Sequence, residues 1–206
     1  MKIFNLVALF VFMDVPLQAQ DIQSIQPQIR LIIHPTVPLQ NQDQEQYWFA
    51  TSWLIGNAKS GAPENLNLFL GIRYKHPSWW LESMVQHQWS PSPGHNSWHL
   101  DFRLFKQFSE RIGLYAETAP ALGKKILYDF IFLEARAIGP LAFGVETENV
   151  HKPGPDSLGA GPLLSYPLAT FGNHKLVSVL SYQFRRGESN VARLYMIMHL
   201  NLGVDP

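Results

Sequence analysis

The fold is decided by residues 66–108, which read LNLFLGIRYKHPSWWLESMVQHQWSPSPGHNSWHLDFRLFKQF. Apolar side chains alternate with polar or small ones through three segments, with a tight turn at residues 76–78 and a longer loop at residues 90–96. Successive side chains of a β-strand point to opposite faces, whereas an α-helix repeats about every 3.6 residues. The stretch therefore predicts three consecutive strands, each with one apolar face.

The alternation continues on both sides of this stretch. Strands are predicted to begin near Tyr47, and alternating segments recur from residue 112 to residue 202. The weakest segments are residues 125–135, where Asp129 shares a face with leucine and isoleucine, and residues 159–168, which glycine and proline interrupt. The pattern predicts about ten strands, with twelve as the alternative, most of them near the roughly 9–11 residues that cross a bilayer as a tilted strand.

Composition excludes several classes of protein. Charged residues make up 16% of the 206 residues, against about 25% in ordinary soluble domains. The formal net charge is zero and no basic run is present, so nucleic acid is not an expected partner. The chain has no cysteine, which excludes disulfides, zinc–thiolate sites and iron–sulfur clusters. The sequence predicts neither a cofactor nor a metal site.

The first 19 residues have the form of a secretory signal peptide. Lys2 supplies the positive end, residues 3–13 the apolar core and residues 17–19 a cleavage site. A membrane anchor is the alternative, but the apolar run is shorter than the roughly 20 residues that a spanning helix needs. The chain is therefore expected to be exported.

Residues 20–45 are rich in glutamine and proline, a composition that favours a linker or loop. Ile29, Leu31 and Ile33 alternate with their neighbours, so an additional short strand stays open at this point. The expected organisation is a signal peptide at residues 1–19, an N-terminal segment at residues 20–45 and a β-barrel at residues 46–206.

The connections between the predicted strands alternate in length. Residues 76–78, 108–110 and 137–139 form tight turns, and longer connections are predicted between them at residues 57–65, 90–96, 119–124 and 149–157. An up-and-down barrel that crosses an outer membrane has short turns at one end and longer loops at the other. The alternation of connection lengths therefore supports the strand pattern independently.

Small and aromatic residues indicate which face points outward. Gly71, Gly113 and Gly144 lie on the polar face and suit a crowded interior. Aromatic residues gather at strand ends, as they do at the two interfaces of a membrane barrel. The predicted aromatic rings consist of Tyr74 and Trp79 at the short-turn end and Trp89, Trp98, Tyr128 and Tyr182 at the long-loop end.

In these patterns the chain resembles the small outer-membrane β-barrel proteins of Gram-negative bacteria, over residues 46–202. The resemblance is one of class and carries no family-specific motif. It implies an all-β, antiparallel up-and-down transmembrane barrel in the bacterial outer membrane, with its apolar face against lipid. A soluble β-protein with its apolar face inward is the alternative.

The inward face is predicted to carry charges that are nearly balanced in sign. Such charges must pair, because unpaired burial costs several kcal/mol. A barrel of about ten strands also leaves little open lumen once arginine side chains occupy it. The predicted lumen network consists of Arg73, Glu82, Asp101, Arg103, Arg111, Glu117, Asp129, Glu146, Arg185 and Arg193.

A hydrolase site is a weaker alternative. His99 and Asp101 follow a predicted long loop, with Ser92 and Ser97 close in sequence, and these residue types could form a Ser–His–Asp set for lipid acyl chemistry. The sequence has no nucleophile-elbow pattern. His95 and His99 would lie about 13 Å apart along a strand, which argues against a shared metal ion.

The sequence thus favours an outer-membrane barrel with a structural or partner-binding role and a lumen filled by charged and polar side chains. Its expected partners are outer-membrane lipid and an envelope protein that contacts the external loops or residues 20–45. A narrow porin-like channel for small polar solutes is the first alternative function, and a lipid-modifying hydrolase is the second.

Overall fold

The computed structural model describes residues 25–39, 47–59, 62–91, 96–186 and 188–203. These residues form one closed β-barrel of eleven strands, in which each strand pairs with the next in the chain. None of them forms a helix long and apolar enough to span a membrane. The strands are β1 (Gln26–Pro38), β2 (Tyr47–Lys59), β3 (Ala62–His76), β4 (Trp79–Trp89), β5 (Ser97–Gln107), β6 (Ile112–Pro120), β7 (Leu127–Ile138), β8 (Leu141–His151), β9 (Ser157–Phe171), β10 (His174–Arg186) and β11 (Val191–Asn201).

The predicted all-β barrel is confirmed, with eleven strands where about ten or twelve were expected. The additional strand is β1, so the wall begins at Gln26 and not near residue 46. Its prolines suggested a loop, but a strand can accommodate proline where the ladder is interrupted. Pairing with β2 skips Pro35, passing from Ile33 opposite Leu54 to Thr36 opposite Thr51.

The odd number of strands makes β1 and β11 run parallel, whereas every other neighbouring pair is antiparallel. Gln26 pairs with Val191 at one end of this seam and Thr36 with Asn201 at the other. The first and last strands therefore begin together at one end of the barrel. A ten-stranded barrel would instead have its first strand begin and its last strand finish at the same end.

The two ends of the barrel differ in their connections. At the short-turn end, residues 77–78, 108–111, 139–140 and 172–173 connect strands, and at the long-loop end residues 90–96, 121–126, 152–156 and 187–190 do so. Each end has one exception, because eight residues separate β1 from β2 at the short-turn end and two separate β2 from β3 at the long-loop end. The long connection expected at residues 57–65 is wrong, because Asn57 pairs with Asn65 and the two strands extend to Lys59 and from Ala62. The alternation holds at the remaining predicted positions.

The outer surface of the wall is apolar. In β3, Leu66, Leu68, Leu70 and Ile72 are 42%, 44%, 60% and 46% exposed, while Phe69 between them is buried. Large exposed hydrophobic side chains recur on β1 to β10, and the outward side chains of β11 are partly exposed. The apolar row of residues 66–72 therefore points away from the interior, as the sequence predicted.

Two strands reverse the rule that the more apolar face points outward. In β2, Phe49 and Trp53 are buried inside the barrel. In β7, Phe130 lies opposite Glu117 and Glu148, so its row faces the interior. These aromatic side chains pack against charged and apolar side chains of the interior.

Gly71 allows side chains from the two strands beside β3 to meet across it. It lies opposite Thr51 of β2 and Met84 of β4. A Cβ at this position would overlap the carbonyl oxygen of Ser83 and lie 2.5 Å from the Met84 Cγ. Only glycine therefore allows β3 and β4 to approach this closely.

Gly71→Ala is expected to lower the free energy of unfolding by about 1–3 kcal/mol, because backbone atoms of β3 and β4 must separate. Urea unfolding in detergent, followed by tryptophan fluorescence, measures the change. Gly56→Ala is the matched control, since its nearest neighbour would be the Leu66 Cδ1 at 3.9 Å, and it should change stability by less than about 0.5 kcal/mol. Equal effects of the two variants would contradict this account of Gly71.

Candidate functional site

Four charged side chains follow one another around the interior in direct register. Arg73 lies opposite Glu82, Glu82 opposite Arg103, and Arg103 opposite Glu117, across β3 to β6. Opposite residues on neighbouring strands lie close enough to interact. The signs alternate, so each charge has opposite charges beside it.

Glu82 accepts three hydrogen bonds, from β2 and β3. Its carboxylate receives the Thr51 hydroxyl at 2.8 Å, the Trp53 indole N–H at 3.0 Å and the Arg73 Nε at 2.8 Å. The bonds from β2 pass across β3, where Gly71 leaves room. These donors compensate the removal of a fully buried carboxylate from water.

Arg103 is buried against two aromatic rings and two carboxylates. Its Nε donates to Asp101 at 2.7 Å, and its Nη2 lies 3.5 Å from Glu117. The guanidinium lies over Trp53 and Phe69, with centroid distances of 4.4 and 4.3 Å. A guanidinium stacks well on an aromatic face, which explains why the Trp53 row of β2 points inward.

Glu148 holds the second centre of the network. It lies 2.8 Å from the Arg30 Nη2, 2.6 Å from the Arg185 Nη2 and 2.5 Å from the Arg193 Nη2. The Tyr128 hydroxyl donates to it at 3.1 Å. Three guanidinium groups from β1, β10 and β11 therefore converge on one carboxylate of β8.

Glycine makes the contact between β8 and β10 feasible across β9. Gly159 lies opposite both Glu148 and Arg185. A Cβ there would lie 3.2 Å from the Gln183 Oε1 and 3.3 Å from the Arg185 Cγ, which is tighter than ordinary packing. Beside it, Glu146 accepts from the Gln183 amide at 2.6 Å and is completely buried.

The structure brings together most of the predicted lumen network. Arg73, Glu82, Asp101, Arg103, Glu117, Glu146, Arg185 and Arg193 all face the interior and form ion pairs there. Arg111 instead lies exposed in the turn between β5 and β6. Asp129 points outward, because its neighbours Tyr128 and Phe130 occupy the interior face of β7.

Sequence reasoning missed Arg30 and Glu148. Glu148 lies two residues beyond Glu146, so one further step of the same alternation would have found it. Arg30 alternates with the apolar residues of β1, but that segment was expected to lie outside the wall. The hydrogen-bonded pair of His34 and His199, whose Nδ1 atoms are 3.0 Å apart, was missed with it.

The weak catalytic candidates do not assemble into a Ser–His–Asp relay among the described residues. The His99 Nε2 lies 2.8 Å from the Ser97 Oγ, but the His99 Nδ1 has no hydrogen-bond partner. The Asp101 carboxylate is held by Arg103. Ser92 and His95 lie outside the described residues. No group of three or more described histidine, aspartate or glutamate residues is arranged to hold a metal ion.

The barrel interior contains both packed side chains and open space. A cavity of about 1370 Å³ is lined by Glu110, Arg111 and Pro140 near the short-turn end and by Lys124 and Lys152 near the long-loop end. Part of its lining is almost closed to solvent, because Phe69, Arg103 and Arg193 are only 2%, 2% and 3% exposed. The charged and polar side chains predicted for the lumen therefore lie there, and space remains beside them.

The predicted aromatic positions divide between the two ends of the outer wall. Tyr74 and Trp79 contact each other at the short-turn end, with ring centroids 5.5 Å apart. Trp89 and Trp98 are about half exposed at the long-loop end. Tyr182 contacts Phe184 there. Tyr128 does not belong to the ring, because it points inward to Glu148.

His151 links the outer surface of β7 to the loop that follows β8. Its Nε2 lies 2.8 Å from an Asp129 oxygen and its Nδ1 lies 3.1 Å from an Asp156 oxygen. The hydrogen bond with His151 holds the pKa of Asp156 below its usual range. The contact gives Asp129 a structural role on the outside of the barrel.

No protein-family model, curated protein or solved structure matches this chain. The fold and the interior are therefore interpreted from their own geometry. They define a closed β-barrel with an apolar exterior and a charged, hydrogen-bonded interior.

Glu148→Gln is expected to lower the free energy of unfolding by about 3–5 kcal/mol, because three buried guanidinium groups lose their shared counter-charge. Urea unfolding in detergent tests this. Glu188→Gln is the control: its side chain is 44% exposed and lies 3.6 Å from Arg185, so its effect should stay below about 1 kcal/mol.

Adding Arg30→Gln to Glu148→Gln should restore part of the lost stability, because it removes one of the unpaired cations. If the double variant were less stable than Glu148→Gln alone, by the sum of two independent losses, the proposed coupling around Glu148 would be wrong.

Proposed function

We propose that this protein is a membrane-spanning β-barrel of the bacterial outer membrane. The observation that carries the proposal is the inverted distribution of its side chains. Leu70 is 60% exposed on the outer wall, whereas Asp101 and Glu146 are completely buried inside. A soluble protein buries its large apolar side chains and exposes its charges, so lipid is the solvent that suits this exterior.

The ends of the wall support the same proposal. Aromatic side chains lie outward near both ends, in the places where they contact lipid headgroups in membrane barrels. Most strands have 9–13 residues, enough to cross a hydrocarbon layer when tilted. Four of the five connections at each end follow the pattern of short periplasmic turns and longer external loops in such a barrel.

We also infer a role for the lumen, which is to bind or pass small polar solutes. The cavity of about 1370 Å³ favours this function over a plugged, purely structural barrel. The paired charges along the wall fix the shape of the cavity, and the space between them is available to small polar solutes. This is the alternative that the open interior supports best.

A partner protein in the envelope remains a proposal for the external loops. Residues 26–38 pair with β11 along one edge and with β2 along the other. Their backbone groups are thus already used within the wall. A contact through residues 20–45 would have to use the remaining residues of that segment.

Leu70→Arg tests the membrane proposal. A charged side chain on the lipid face costs about 2–4 kcal/mol at the bilayer midplane and about 0–1 kcal/mol near an interface. Leu70 lies in the middle of β3, so the variant should assemble poorly into membranes and into liposomes.

Phe108→Arg is the matched control, because Phe108 is also 60% exposed but lies in a short turn. It should assemble nearly as well as the wild type. Wild-type protein that fractionates without detergent as a soluble protein would contradict the proposal, and so would equal assembly of both variants.

A further inference from the structure

We propose that the lumen selects small anions, such as chloride and short carboxylates, over cations. This inference rests on the proposed solute-binding role of the lumen and specifies the class of solute. It concerns the surface that lines the cavity, whose charge differs from that of the whole chain.

The cavity lining carries more positive than negative side chains. Among the described residues it includes ten arginine and lysine side chains but only six glutamates, whereas the complete chain has a formal net charge of zero. The lining cations are Arg30, Lys59, Arg103, Arg111, Lys124, Arg136, Lys152, Lys175, Arg185 and Arg193. A solute inside therefore meets an excess of positive charge.

The excess arises from where the carboxylates lie. Glu82, Asp101 and Glu146 are 3%, 0% and 0% exposed and do not belong to the described lining of the cavity. Arg103 and Arg193, which pair with Asp101 and Glu146, belong to the lining, although they are buried almost as deeply, at 2% and 3% exposed.

The cluster around Glu148 is the interior point where an anion would be held most strongly. Three guanidinium groups share this carboxylate, and Glu146 also lies 3.6 Å from Arg193. The Arg185 Nε is buried without a hydrogen-bond partner. Low-dielectric walls focus the field of such fixed charges into a cleft, and guanidinium groups are well suited to carboxylate and phosphate.

Cations outnumber carboxylates at both ends of the cavity. At the long-loop end the lining has Lys59, Lys124 and Lys152 against Glu64 and Glu188, and at the short-turn end it has Arg111, Arg136 and Lys175 against Glu110 and Glu134. An excess of cations at an entrance raises the local concentration of anions and lowers that of cations.

Planar-bilayer recording of the purified protein under a potassium chloride gradient tests the inference. The reversal potential should give a chloride-to-potassium permeability ratio above one. Lys124→Glu should lower that ratio about twofold, because it reverses one charge at the cavity lining. Lys125→Glu is the control, since Lys125 is exposed in the same loop and does not line the cavity.

Iodide and caesium quenching of tryptophan fluorescence in detergent gives a second readout that needs no conduction. Trp80 lines the cavity, so the signal lost in Trp80→Phe reports from inside the lumen. Relative to its quenching of free N-acetyltryptophanamide, each ion gives a normalised quenching constant. The normalised constant should be larger for iodide than for caesium, and Lys124→Glu should reduce the difference while Lys125→Glu should not.

The outcomes separate the inference from the function on which it rests. A barrel that conducts but prefers potassium would contradict anion selection and would still support the proposed channel function. A barrel that never conducts, but whose lumen tryptophan is quenched preferentially by iodide, would overturn passage and support anion selection. Equal normalised quenching by both ions with no conduction would overturn both.

Discussion

A carboxylate enclosed by a barrel wall needs donors around it, and Glu82 and Glu148 determine much of the structure by that requirement. The donors to Glu82 come from β2 and β3, so β3 must carry a residue as small as Gly71 where they cross. The donors to Glu148 come from β1, β10 and β11, and β9 has Gly159 at the crossing. Small residues and buried acids thus form one arrangement, in which neither is stable without the other.

The strand pattern, the closed wall and the outward direction of most apolar rows were predictable from the sequence, because they depend on a period of two residues. The directions of β2 and β7 were not. The row of β2 with Phe49 and Trp53 faces the interior. Both faces of β7 are apolar, and Asp129 suggested an interior face that the structure gives to Tyr128 and Phe130. The choice depends on partners on other strands, such as Glu148 of the neighbouring β8, and no pattern within β7 contains that information.

The same distinction, between local alternation and contacts with distant parts of the chain, separates the network residues that the sequence predicted from those that it missed. Arg73, Glu82 and Arg103 lie on neighbouring strands with clear alternation, so their common face was readable from the sequence alone. Arg30 lies in a proline-containing segment that pairs in the sheet with β2 and with the last strand of the chain. The alternation at residues 29–33 left an additional strand open, but a parallel pairing between residues 165 positions apart leaves no trace in local composition. The sequence therefore did not decide between ten, eleven and twelve strands.

Balanced charge in the interior network does not make the lumen electrically neutral. The network in the structure includes Arg30 and Glu148 in place of the predicted Arg111 and Asp129. It therefore still has as many cations as anions. Glu82, Asp101 and Glu146 stay outside the cavity lining, whereas Arg103 and Arg193 belong to it, but all five are at most 3% exposed. The charge that an entering solute meets first therefore comes from the two ends of the barrel, where lysine and arginine side chains outnumber the glutamates in the lining.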